Sequence, residues 1–83
     1  MHNERGKILW IDDEIDHLKP HILFLEEKGY KISISDNGKN GVIKSKEQKF
    51  DLVLLDQFMP GIDGIEVLKE IKENNPALPV IMI

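Results

Sequence analysis

At 83 residues, 41% hydrophobic and 31% charged, the chain has the size and composition of one small globular domain, here 1–83. Its formal charge of −4, with no basic run, excludes nonspecific nucleic-acid binding by this domain. No apolar stretch approaches the roughly 18 residues of a membrane helix, the amino terminus lacks a secretory pattern, and the absence of cysteine excludes disulfides and thiolate metal sites, so the expected setting is cytoplasmic with no membrane partner.

Residues 7–11 (Lys-Ile-Leu-Trp-Ile) form a short apolar run that stops at Asp12-Asp13-Glu14, a strand followed by acids. Over residues 15–29, Ile15, Leu18, Ile22 and Leu25 recur at three- and four-residue steps, which predicts a helix with one buried stripe. Pro20 is comfortable only in a first turn, so the helix either starts near His17 or is kinked. Gly29 is the stop. Residues 30–35 (Tyr-Lys-Ile-Ser-Ile-Ser) alternate strictly and predict an edge strand with one polar face. Asp36-Asn37-Gly38 is a turn. Residues 39–48 predict a short helix anchored by Val42, Ile43 and the Lys46 stem, weakened by Gly41.

Leu52-Val53-Leu54-Leu55 reads as a strand buried on both faces, because a half-exposed strand would alternate with polar residues. It ends in Asp56. A Pro60-Gly61 turn follows, and Gly64 opens a helix over residues 65–74 with Ile65, Leu68 and Ile71 inward. Residues 74–79 break it, and 80–83 form a fourth apolar strand. Strand and helix alternating with short connections predict an α/β domain with a parallel sheet.

Two parallel strands that each end in acid place those acids on one rim, roughly 4.8 Å apart across the sheet. Asp12, Asp13 and Asp56 then form a three-carboxylate cluster. At an effective dielectric near 20, two such charges about 4 Å apart repel by roughly 4 kcal/mol. A divalent cation removes that cost, and oxygen-only ligands favour Mg²⁺ over Zn²⁺. Mg²⁺ usually accompanies phosphate chemistry, and a carboxylate can accept a phosphoryl group as a mixed anhydride.

Asp12-Asp13-Glu14 after an apolar strand, Asp56 after Leu-Val-Leu-Leu, and Met59-Pro60-Gly61-Ile62-Asp63-Gly64 together resemble a bacterial two-component response-regulator receiver domain of the CheY-like type, over essentially the whole chain. The resemblance implies a partial flavodoxin-like, doubly wound parallel sheet in the strand order 2-1-3-4. It makes Asp56 the phosphoacceptor and Asp13 a direct Mg²⁺ ligand. Asp12 would bind through water, and the backbone carbonyl of Phe58 would complete the protein ligands. Pro60 and Gly61 would shape the loop, and Gly64 would let the next helix start close to the rim. The implied partners are a sensor histidine kinase as donor and an effector domain or partner protein as output. The domain would be no enzyme beyond assisting its own phosphorylation and dephosphorylation. Lys19-Pro20-His21-Ile22-Leu23-Phe24-Leu25 further resembles receivers attached to an alkaline-phosphatase-like effector domain.

The family pattern continues past Ile83. A Thr or Ser after the fourth strand and a Lys ending a fifth have no counterpart here, so the expectation is a receiver truncated after the fourth strand, lacking the last α-β-α part and impaired in phosphorylation. With the family's sheet order, right-handed crossovers put the first helix alone on one face. Four strands span roughly 19 Å and one helix covers about 10 Å, which would leave about half of that face bare. The fourth strand would present an open edge, suited to self-association. Phe58 is bulkier than usual for its position, which would slow water's access to a phosphoryl group.

Taken singly, adjacent acids most often cap a helix, and Asp56 would pass as a turn residue; their combination with the loop motif outweighs both readings. Asp63 reads as a helix N-cap and Trp10 as core. His2, His17 and His21 read as surface residues, the i,i+4 spacing of the last two as coincidence. Lys69 and Glu73 suit a solvated helix pair. Two other functions compete. Haloacid-dehalogenase-like phosphatases carry an Asp-x-Asp nucleophile after the first strand, which is absent here. The alternative within the same fold is a receiver-like interaction module that never takes phosphate.

Overall fold

The apolar runs pair as parallel strands because a helix returns the chain after each one. The computed structural model describes residues 5–83, so His2 lies outside the described residues. β1 (Gly6–Ile11) is central, flanked by β2 (Tyr30–Ser35) and β3 (Leu52–Leu55), with β6 (Val80–Met82) beyond β3. The order is β2-β1-β3-β6, parallel throughout. Helices α1 (Ile15–Glu27), α2 (Gly38–Glu47) and α3 (Gly64–Asn74) make the crossovers. Ahead of α3, β4 (Phe58–Met59) and β5 (Ile62–Asp63) form a small antiparallel hairpin. This is a doubly wound α/β sheet in the expected strand order.

The two faces are filled unequally. Leu9, Ile11, Val53 and Leu55 are fully buried on the face where Val42 of α2 and Val67 and Ile71 of α3 close the main core with Phe50, Met59 and Leu78. On the opposite face, Ile8, Trp10 and Ile22 of α1 are buried, but Leu52 and Leu54 are only half-buried and Ile81 is 50% exposed. The expectation that β3 is buried on both faces is corrected here: α1 packs on β2 and leaves the β3 side half covered.

Several local expectations are sharpened. α1 starts at Ile15, not near His17, and runs through Pro20, whose missing N–H leaves the Asp16 carbonyl on the exposed side without a helical donor. It ends at Glu27 with Lys28 as its C-cap, and Gly29 follows at φ 100, the left-handed position a helix stop favours. Asn37 caps α2 by accepting from Asn40 N–H at 2.8 Å, which lengthens the helix to Gly38. Lys46 is exposed; the half-buried lysine is Lys44, whose Nζ donates to the Ile34 carbonyl. In α3 the inward residues are Gly64, Val67 and Ile71, while Ile65 is 45% exposed. Lys72 Nζ donates to the Pro76 and Leu78 carbonyls at 3.0 and 2.8 Å and ties the end of α3 to the turn before β6.

Gly41 explains how α2 sits so close to β1. A Cβ at this position would lie 2.4 Å from Ile11 Cδ1 and 2.7 Å from its Cγ1. Ile11 is fully buried, so making room would disturb the packed core around it. In an unconstrained helix, Gly→Ala strengthens the fold by about 1 kcal/mol. Here Gly41→Ala is expected to destabilise by about 1–3 kcal/mol through overpacking, read as a lower urea midpoint at unchanged slope. A raised midpoint would contradict this packing.

Candidate functional site

Parallel register brings the acids together. Ile11 pairs with Leu55 on one side and with Ser35 on the other, so β1, β2 and β3 end level. Asp56 N–H donates to the Ile11 carbonyl at 2.9 Å, and Asp12 N–H donates to the Ser35 carbonyl at 3.0 Å. Each bond prolongs its ladder by one residue, then the chain leaves the sheet. As a result, carboxylate oxygens of Asp12, Asp13 and Asp56 all lie within 4.8 Å of one another, with Asp12 buried, Asp56 half-buried and Asp13 exposed.

Backbone donors orient two of these acids. Asp12 Oδ1 accepts from Glu14 N–H at 2.9 Å, at the start of α1. Asp56 Oδ1 accepts from Phe58 N–H at 3.0 Å. Among the described residues, neither ion pair involves these carboxylates: the pairs are Glu14 with His17 and Asp16 with Lys19. Burial pushes the Asp12 carboxyl above the usual aspartate range. The Glu14 N–H pulls it back down, while the charges of Asp56 and Asp13 and a carboxyl–carboxylate contact with Asp56 push it up. Three oxygen donors with no cationic side chain paired to them among the described residues suit a hard divalent cation.

The hairpin closes one side of the rim. Pro60 and Gly61 occupy its turn, and Gly61 at φ 86 takes the left-handed conformation that a proline-glycine turn requires at its second position. Gly64 cannot be replaced without displacing backbone, because a Cβ there would meet Gln57 Cα at 2.9 Å and the Asp56 carbonyl oxygen at 3.1 Å. Asp63 caps α3, accepting from Ile65 N–H at 3.0 Å. Phe58 is 80% exposed and lines an open cleft of about 700 Å³ with Asp13, Met59, Pro60 and Ile65. On its other side Asp13 borders a second cleft of about 600 Å³, with Glu14, His17, Ser35, Asp36 and Lys44. The contributions of Ser35 and Lys44 were invisible in the sequence. Both lie in the edge strand or its following helix, where the pattern marks only polar residues.

Residues 8–83 match the response regulator receiver domain family. The whole chain is 42% identical to part of the transcriptional regulatory protein ZraR of Klebsiella oxytoca and spans 19% of that protein's length. Among solved structures, the histidine kinase ThkA in complex with the response regulator protein TrrA matches with a TM-score of 0.84 and 37% identity, covering 92% of this chain and 66% of the matched one. TrrA of Thermotoga maritima in complex with Mg²⁺-BeF matches at a TM-score of 0.80 and 36% identity, covering 92% of this chain and 64% of that one.

The sign of the Asp12 shift determines a pH dependence. Below the usual aspartate range the group is protonated in both folded and unfolded chains and has no effect. Above its raised folded value, the unfolded chain has gained from ionisation more than the folded one, and stability is lower. Asp12→Asn removes that loss and keeps an acceptor for Glu14 N–H. Without divalent cations at neutral pH, the variant is expected to melt a few degrees higher, at about 4–8 °C per kcal/mol in a domain of this size. Below the aspartate range the difference should vanish. A variant that melts lower at neutral pH would refute the electrostatic account.

Proposed function

This chain belongs to the response regulator receiver-domain family, and from that premise we propose that Asp56 accepts a phosphoryl group from the phosphohistidine of a sensor histidine kinase and so switches an effector. Receivers of this family act as signalling modules rather than classical enzymes. The observation that carries the reading is the set of three carboxylates within 4.8 Å at the carboxyl ends of adjacent parallel strands. The likeness to a regulator solved with its kinase and with Mg²⁺-BeF supports the same reading.

In this reading Asp56 Oδ1 is held by the Phe58 N–H, which leaves Oδ2 as the attacking atom. As its bond to phosphorus forms, the bond from phosphorus to the donor imidazole nitrogen breaks. The electron pair stays on the imidazole, which takes a proton from solvent, and an acyl phosphate remains on Asp56. Asp13, Asp56, the Phe58 carbonyl and, through water, Asp12 would hold Mg²⁺. When bound there, the cation would offset the charge gathered on the transferring oxygens and the carboxylates. Glu14 N–H fixes Asp12, and Gly64 keeps the α3 start close against Asp56 and Gln57.

Residues 1–83 are proposed as the receiver unit, cytoplasmic and without nucleic-acid contacts of its own. Output passes to an effector domain or a partner protein, an alkaline-phosphatase-like domain being the form suggested by the α1 sequence. Phosphorylation biases a two-state surface rather than opening a substrate site.

Phosphoramidate offers a phosphorus–nitrogen bond like that of phosphohistidine. With Mg²⁺ present, the chain is expected to gain a phosphoryl group slowly and on only part of its molecules by intact mass, in keeping with the impaired phosphorylation the receiver pattern implies, and the gain is labile to hydroxylamine. Chelation of the metal or Asp56→Asn should remove the gain, with the circular dichroism spectrum unchanged. Retention of the label in Asp56→Asn would move the acceptor elsewhere. No gain in the unaltered chain would favour the unphosphorylated interaction module.

A further inference from the structure

Outside the carboxylate rim, the amino-terminal half of α1 carries a second set of donor side chains. His17 and His21 are exposed and one turn apart, and residues four apart in a helix hold their Cβ atoms about 5–6 Å from each other. That is the spacing by which two helical imidazoles share one cation. By itself it is commonplace on a helix surface.

The structure adds a third residue. Glu14 Oε2 lies 2.9 Å from His17 Nδ1, the distance of a hydrogen bond donated by the ring. A carboxylate on Nδ1 holds the proton there, orients the imidazole and leaves the Nε2 lone pair free, the support usually found behind a metal-bound histidine. The side chains of His17 and Glu14 are 79% and 64% exposed, so a cation can bind while keeping part of its water shell. Pro20 lies inside the same turn, and its ring fixes one backbone angle between the two histidines. Asp13, exposed beside this turn, adds negative charge that attracts cations, while Asp16 is offset by Lys19 at 3.6 Å.

We propose that Glu14, His17 and His21 form a surface site for a borderline divalent transition metal such as Ni²⁺ or Zn²⁺. His17 Nε2 and a His21 ring nitrogen are the protein ligands, water completes the coordination, and Glu14 is the positioning residue. The donor chemistry separates this site from the rim: imidazole nitrogens suit Zn²⁺ and Ni²⁺, whereas carboxylates alone suit Mg²⁺. The assignment is independent of the phosphoacceptor reading.

The test is a Ni²⁺ titration of this chain in excess Mg²⁺, which occupies the carboxylate rim, followed by two-dimensional NMR. Paramagnetic broadening is expected to centre on the backbone of residues 14–22 and to disappear in a His17→Ala/His21→Ala double variant, whose Mg²⁺ titration stays as before. Glu14→Ala is expected to weaken Ni²⁺ binding by about tenfold. Broadening that persists in the double variant, or that is removed instead by His2→Ala, overturns the site. An unchanged Ni²⁺ affinity in Glu14→Ala overturns the positioning role. All the altered side chains of α1 are exposed, so the variants should fold, which circular dichroism would verify.

Discussion

Everything at the rim depends on the parallel register of β1 and β3. Ile11 opposite Leu55 puts Asp12 and Asp56 one step past the last paired residues, and the Asp56 N–H to Ile11 carbonyl bond locks them there. A slip of β3 by one residue would send Val53 and Leu55, both fully buried, to the opposite face. Core packing therefore sets the spacing of the acids. The site needs no scaffold of its own.

The same register imposes an electrostatic cost. Three carboxylates converge where one of them is buried, and the Glu14 N–H only partly offsets desolvation at Asp12. No lysine, arginine or histidine pairs with them among the described residues. A fold selected only for stability would place a cation-bearing side chain here or dispense with an acid. Leaving the charges unbalanced gives a cluster capable of coordinating a metal ion, a capacity that a satisfied ion-pair cluster would lack.

Two glycines set how tightly the layers close over this arrangement. Gly41 lets α2 rest on Ile11, and Gly64 lets α3 begin against the backbone of Asp56 and Gln57. On the other face, Trp10 fills the space beneath α1 while its indole N–H is buried with no partner among the described residues, a loss of about 1–3 kcal/mol. Apolar burial of the ring outweighs that loss. The half-covered Leu52, Leu54 and Ile81 show how far α1 reaches across a four-stranded sheet.

Element order, the parallel sheet and the three acids were legible in the sequence, because apolar runs ending in Asp mark strands and their carboxyl ends without reference to anything distant. Asp63 as a cap and Gly29 as a stop were legible for the same reason: capping is local. Other features were decided by tertiary structure alone. Periodicity shows which residues share a face but not what covers it, so the outward turn of Ile65 could not be read in advance, and the half-covered Leu52 and Leu54 followed only from the sheet order that the family resemblance implied. Gly41 looks like a weak point of a helix until Ile11 is beneath it. The upward shift at Asp12 exists only once the strand ends are placed in space, because burial and the nearness of Asp56 depend on distances that no spacing along the chain contains.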